Sequence, residues 1–193
     1  AAMTSFGLGN LGFSGLMAVN AQFMRGIEED TYRDVGEKLY TKQIARLIYP
    51  ESRALVEAHI AKGHTVAIIS SATPYQVEPA AADLGIEHVL CSHLEVSKGK
   101  FTGKAVTPLC FGQGKVDAAE KLAKGTRANL DRSFFYSDST DDLLLLERVG
   151  QPRARVERFG GAFVRVQVVH AHPDRMVFAQ HTHEARRDAL RQH

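Results

Sequence analysis

The sequence predicts an α/β fold in which helices cover both faces of a parallel sheet, and three observations lead there. Thr65 to Ile69 and Ser133 to Tyr136 are short runs of apolar and β-favouring residues with little polar alternation, the pattern of strands buried on both faces. Ahead of each stands a segment of helical periodicity closed by a glycine, Gly63 before the first and Gly125 before the second. Behind each comes a polar turn, Ser70 to Pro74 and Ser137 to Asp142. Helix and strand alternating in this way build a parallel sheet through crossover connections.

No charged residue precedes Arg25, yet Gly7, Gly9, Gly12 and Gly15, with Asn10 and Asn20, interrupt the opening. It also lacks a basic start followed by a compact apolar block, so a packed helix or an irregular surface crossing fits better than a signal or a membrane span. From Ile27 to Ile48 the apolar positions Val35, Leu39, Ile44 and Leu47 recur at helical intervals, which predicts one long amphipathic helix or a broken pair. Pro50 suits the first turn of the next helix, whose Leu55, Val56 and Ile60 share a side. After the strand at Thr65 to Ile69, a helix runs toward Leu84, bent or divided by Pro79 and ended by Gly85, and a short strand covers Glu87 to Leu90.

Val96 and Phe101 flank a Lys98-Gly99 turn, which predicts a hairpin within Leu94 to Val106. Lys115 enters a helix containing Val116, Ala119 and Leu122. Beyond the acidic turn a leucine-rich helix follows; then Phe163 to Val169, carrying Arg165 and Gln167, reads as a half-exposed strand. The organisation expected is an N-terminal segment with a helical layer over 1–49, a core over 50–150 and a divergent C-terminal segment over 151–193.

With 193 residues, 44% of them apolar, the chain can bury a sizeable core without crosslinks. Its cysteines, Cys91 and Cys110, are too few for a disulfide framework, which makes a cytoplasmic setting the simpler expectation and small apolar roles the default for both. A net charge of +2 does not call for a nucleic acid, and Arg153, Arg155, Arg158 and Arg165 read as a solvated basic face. His170, His172, His181, His183 and His193 lack the spacing of a closed coordination set and read as a solvated tail. Gly112 and Gly114 ahead of Lys115 do not make a Walker loop.

Chemistry concentrates where the strands end. Ser70 directly follows Thr65 to Ile69, and Asp138 directly follows Ser137; in a parallel sheet both ends open onto one crevice. There a serine hydroxyl and backbone amides can receive phosphate oxygens, and carboxylates can hold a hard divalent ion. Lys115 can bring a positive charge to the same phosphate, offsetting its repulsion from Asp138 and Asp142.

In their order these residues resemble the phosphoserine-phosphatase-like branch of the haloacid dehalogenase superfamily, including bacterial members fused to acyltransferases. Ile68-Ile69-Ser70-Ser71 looks like the second motif of that family, Lys115 like its third-motif lysine, and Tyr136-Ser137-Asp138-Ser139-Thr140-Asp141-Asp142-Leu143 like its acidic fourth motif. The resemblance covers roughly 27–150 and rests on the ordered set, each motif being weak alone. It implies a Rossmann-like core with a small hairpin and a helical cap. It further implies phosphate binding by Ser70 and Lys115, catalytic parts for Lys115 and Asp138, magnesium held by Asp138 with Asp142 supporting the ion or its bound water, and outlying places for Ser71 and Asp141.

The family's first motif, an aspartate followed two positions later by another at the end of the central strand, has no match. Asp30 and Asp34 have the wrong spacing, and they and Asp83 sit in helical patterns. A strand missing between those ending at Ser70 and at Asp138 would leave backbone groups and apolar surface bare. An upstream segment, a rearranged uncharged N-terminus or a second chain would have to complete the sheet.

The resemblance thus implies a magnesium-dependent phosphomonoester hydrolase in the complete protein, working through an aspartyl-phosphate on a phosphorylated small molecule, with this chain inactive by itself for want of the nucleophile. The alternatives are a noncatalytic phosphate-binding or assembly module, and a phosphotransferase or acyltransferase-associated domain.

Overall fold

A computed structural model describes residues 12–137, 139–154 and 176–179. Its centre is a parallel sheet of five strands: β1 (Thr65–Ile69), β2 (His88–Leu90), β5 (Phe134–Ser137), β6 (Gln151–Ala154) and β7 (Met176–Ala179), in the order β2-β1-β7-β5-β6. A separate antiparallel pair is made by β3 (Leu94–Ser97) and β4 (Lys100–Ala105). Val66, Ala67, Ile68 and Ile69 are all buried, which requires cover on both faces of β1 and explains its unbroken apolar run.

The helices supply that cover. α3 (Pro50–Ala61) opens with Pro50 in its first turn, where a missing N–H costs nothing, and leads into β1. α4 (Pro74–Asp83) starts in a capping box: the Thr73 side chain accepts from the third-residue amide, and the Gln76 side chain accepts from the Thr73 N–H. α5 (Gln113–Thr126) and α6 (Leu143–Arg148) complete the layers. Val56, Val77, Ala80, Ala119, Phe135 and Leu145 meet β1 in one main cluster.

A second, smaller cluster joins α1 (Phe13–Met24) to the hairpin: Met17, Ala21 and Met24 pack with Leu94, Phe101 and Tyr75. The hairpin has the expected register, Val96 opposite Phe101 and Ser97 opposite Lys100, around a turn in which Lys98 and Gly99 both have positive φ. α2 (Glu29–Leu39) passes through a π-helical turn at Tyr40–Ile44 and a 3-10 turn at Ala45–Leu47. The broken form of the Ile27 to Ile48 helix is therefore the one adopted.

Three expectations change. Pro79 does not divide α4, which runs through it. Pro79 has no N–H to offer the Tyr75 carbonyl one turn back, and Gly36 of α2 comes up against that carbonyl; a Cβ on Gly36 would lie 2.1 Å from the Tyr75 oxygen. Gly125 does not close α5 either; the helix reaches Thr126 and ends on Arg127 in the left-handed conformation. The third change concerns the middle of the sheet, at the position between β1 and β5. Met176–Ala179 fills it, pairing parallel to β1 (Val66 with Val177) and to β5 (Phe135 with Phe178). Four apolar residues suffice to satisfy both ladders, and they stand in a tail whose flanking histidines mask them. The strand proposed at Phe163 to Val169 and the tail histidines lie outside the described residues.

Candidate phosphate and metal site

Because β1 and β5 both run parallel to β7, Ser70 and Ser137 leave the sheet at the same carboxyl edge, one strand apart. Two strand spacings put them roughly 10 Å from each other across that edge. Both strand ends therefore face one edge of the sheet.

On the β1 side Ser70 is fully buried. Its amide donates to the Leu90 carbonyl at 2.8 Å, and its Oγ accepts from the Ala72 amide at 3.2 Å, which bends the chain away from the strand. Ser92 extends this turn: its amide donates to the Ala72 carbonyl at 3.0 Å, and its Oγ accepts from the Cys110 amide at 3.0 Å. The connection between β4 and α5 is thereby fastened to the end of β1. Ser71 is partly exposed.

On the β5 side the centre is Asp142, 1% exposed, at the end of a 3-10 turn, Thr140–Asp142, that leads into α6. Its Oδ1 accepts from Lys115 Nζ at 2.5 Å and its Oδ2 from Ser137 Oγ at 2.5 Å. Lys115, in the first turn of α5, is itself 1% exposed. A lone buried ammonium or carboxylate would be costly, and pairing is what lets both stay inside. The first turn of α5 is held hard against the chain before it, since a Cβ on Gly114 would meet the Leu109 carbonyl oxygen at 1.9 Å.

Lys115 and Asp142 are thus brought together directly, and Ser70 shares their sheet edge. Asp141 is exposed, its amide donating to Ser139 Oγ at 3.2 Å, and does not join the cluster. Asp138 lies outside the described residues. Ser137 is a member the sequence reading missed. The signal was there: in a strand of period two it shares the inward face with Phe135, and both are buried.

The cysteines do not offer an alternative nucleophile. Cys91 Sγ does lie 3.7 Å from His93 Nε2, a histidine contact the sequence reading did not find. Burial nevertheless pushes the Cys91 thiol up to about 12 and that of Cys110 up to about 11, the latter despite the nearby Lys115 charge, so both stay protonated. Cys91 is only partly buried, which corrects its expected core role, whereas Cys110 is buried as expected.

The haloacid dehalogenase-like hydrolase family model matches residues 2–147, and the chain belongs to that family. A probable phosphatase of Mycobacterium tuberculosis is 33% identical over 127 residues, which cover 66% of this chain and 41% of that protein. A phosphoserine phosphatase of the same organism is 37% identical over 117 residues, covering 60% and 38% respectively. The crystal structure of a probable phosphoserine phosphatase from Vibrio cholerae has the same fold, with a TM-score of 0.60 at 24% identity over 78% of this chain and 43% of that one. The chain thus spans less than half the length of these relatives.

Family membership implies a general dependence on magnesium. Among the described residues no group of three histidine, cysteine, aspartate or glutamate side chains could hold a metal. Asp142 has both oxygens engaged, which suits it poorly as a direct ligand; each oxygen keeps a second lone pair, which suits it to accept from a metal-bound water. Among the described residues no helix is long and apolar enough to cross a membrane.

Proposed function

We propose that the complete protein hydrolyses phosphomonoesters with magnesium, through an aspartyl-phosphate, and that this chain contributes the phosphate-receiving half of the site. The observation that carries the reading is the buried Lys115–Asp142–Ser137 cluster on the sheet edge from which Ser70 also leaves. Asp142 orients Lys115, whose ammonium has three N–H groups, one of them given to Asp142. The others serve the phosphate, together with the Ser70 turn. Asp138 is the carboxylate offered to magnesium, with Asp142 supporting its bound water. When bound, the ion supplies positive charge to the phosphoryl oxygens.

The attacking carboxylate is a separate matter. An aspartate oxygen must form a bond to phosphorus as the ester oxygen leaves with a proton, and water must then cleave the acyl-phosphate. Met176–Ala179, which holds the central position in the sheet, contains no acid. Turnover therefore needs a strand ending in Asp-x-Asp at that position, and phosphate binding does not. The same observation favours the second reading, a phosphate-binding or assembly module without turnover.

Two measurements separate them. Phosphate release from a panel of monoesters with magnesium, assayed on the full natural protein, is expected to fall together with phosphate affinity in Lys115→Ala, measured under conditions where circular dichroism shows the variant folded, since Asp142 loses its buried partner. Ser70→Ala is expected to weaken phosphate binding more than magnesium retention. Phosphate affinity and turnover both untouched by Lys115→Ala would reject the assignment. Binding that Lys115→Ala weakens, with no turnover in any form of the protein, would establish the noncatalytic reading.

A further inference from the structure

Ser137 stands at the carboxyl end of β5, 1% exposed, and its hydroxyl serves two partners. A carboxylate only accepts, so the proton of Ser137 Oγ goes to Asp142 Oδ2 at 2.5 Å. The lone pairs of the same oxygen are left for a donor, and the Ser139 amide donates to it at 3.1 Å. Asp142 Oδ1 meanwhile accepts from Lys115 Nζ. A continuous chain of hydrogen bonds thus links the Ser139 amide to the buried ammonium, and Ser137 is the link that both gives and takes. Ser137 and Ser139 are also the sequence neighbours of Asp138, so this hydroxyl ties together the two residues that flank it.

A second buried serine, just ahead of the same strand, makes a contrast. Ser133 Oγ donates to the Asn129 carbonyl at 2.6 Å and so closes a backbone turn, whereas the Ser137 bond fixes a charged side chain. What it fixes is the rotation of the carboxylate. With Oδ2 occupied, Asp142 offers Lys115 the other oxygen, and the ammonium gives it one of its three N–H groups. Without the hydroxyl, Oδ2 would be buried and short of its donor. A turn toward the ammonium already on Oδ1 would restore one by drawing in a second N–H, leaving one fewer for a phosphate.

We propose that Ser137 is a positioning residue of the phosphate site, holding the Asp142 carboxylate so that Lys115 keeps two N–H groups for the phosphate. The inference rests on the phosphate-binding reading of Lys115 and deepens it by naming the residue on which the direction of that ammonium depends.

The test is calorimetric titration of the full natural protein with inorganic phosphate at fixed magnesium, each variant shown by circular dichroism to be folded. Ser137→Ala is expected to weaken phosphate binding by roughly tenfold, about what one hydrogen bond to a charged group contributes. Ser137→Thr, which keeps the hydroxyl, should restore affinity to near that of the parent. Ser133→Ala, which removes a buried hydroxyl beside the same strand, should lower the denaturant midpoint and leave phosphate affinity unchanged. Parent-like binding in Ser137→Ala, or binding in Ser137→Thr as weak as in Ser137→Ala, overturns the positioning role and leaves the Lys115 assignment standing. So does an equal loss of affinity in Ser133→Ala, which would make both effects losses of stability. If Ser137→Ala does not fold, Ser137→Cys takes its place: its weaker donor should bind phosphate less tightly than Ser137→Thr, and equal affinities overturn the role. A parent protein that binds no phosphate overturns the Lys115 reading as well.

Discussion

Two clusters in this molecule are built from the same parts and differ in where they sit. At the carboxyl edge of the sheet Asp142 accepts from Lys115 at 2.5 Å and from the Ser137 hydroxyl. Where α3 meets α4, Asp83 accepts from Arg53 at 2.6 Å and from the Tyr40 hydroxyl. Each is an aspartate held between a cation and a hydroxyl. The side chains of the first pair are 2% and 0% exposed, those of the second 36% and 37%. Pair length therefore says little about role. An exposed pair contributes at most about 1 kcal/mol and needs no purpose beyond it, whereas a buried one must offset several kcal/mol of lost hydration per ion. Apolar residues would fill the edge at lower cost, so the buried cluster points to function.

The largest expected effect breaks the buried member. Asp142→Ala leaves the Lys115 ammonium inside without its partner and is expected to cost about 3–5 kcal/mol, read as a drop in the denaturant midpoint at unchanged slope. Replacing both, Lys115→Met with Asp142→Leu, should recover most of that loss while phosphate binding stays absent. If the double variant is as unstable as the single one, the pair is there for stability and the contrast between the two clusters collapses.

Much of this contrast was legible in the residues, and what was not has a physical reason. The buried strands at Thr65–Ile69 and Phe134–Ser137, the Lys98-Gly99 hairpin and the convergence of Ser70 with the acidic turn all follow from local pattern plus the parallel rule. Met176–Ala179 was hidden because its place in the sheet depends on pairing with β1, more than a hundred residues earlier, and no local period marks a strand of four residues. Pro79 misled because its effect depends on what stands against the Tyr75 carbonyl, and that is Gly36 of another helix. Ser137 was passed over beside a conspicuous aspartate, although its inward register already set it apart.

The next effect down sharpens the exposed side of the comparison. If the α2, α3 and α4 layer is held by packing and not by its ion pair, disturbing the closest backbone approach should matter more than removing a charge. Gly36→Ala puts a Cβ where the Tyr75 oxygen is 2.1 Å away and is expected to destabilise by about 1–3 kcal/mol. Helix propensity alone would favour alanine by about 1 kcal/mol, so a net gain in stability would show that the two helices part without cost. Arg53→Ala, by contrast, should stay within about 1 kcal/mol of the parent.

The smallest effect is in pH. Hydrogen bonds from Arg53 first and Tyr40 second hold the Asp83 carboxyl below its ordinary value, while burial and the Asp83 charge push the Tyr40 hydroxyl above its own. A carboxyl depressed in the folded state binds fewer protons there than in the unfolded chain. Its stabilisation is therefore complete above about pH 4 and is lost as the pH falls through the folded value. Solvent screens the pair, which keeps the amount under about 1 kcal/mol. Parent and Asp83→Asn should differ by that small margin at neutral pH, with the difference shrinking below pH 4 in urea titrations. A gap that stays constant down to acid pH would mean that Asp83 acts through its shape and its bond to Tyr40, and that charge contributes nothing on the exposed side.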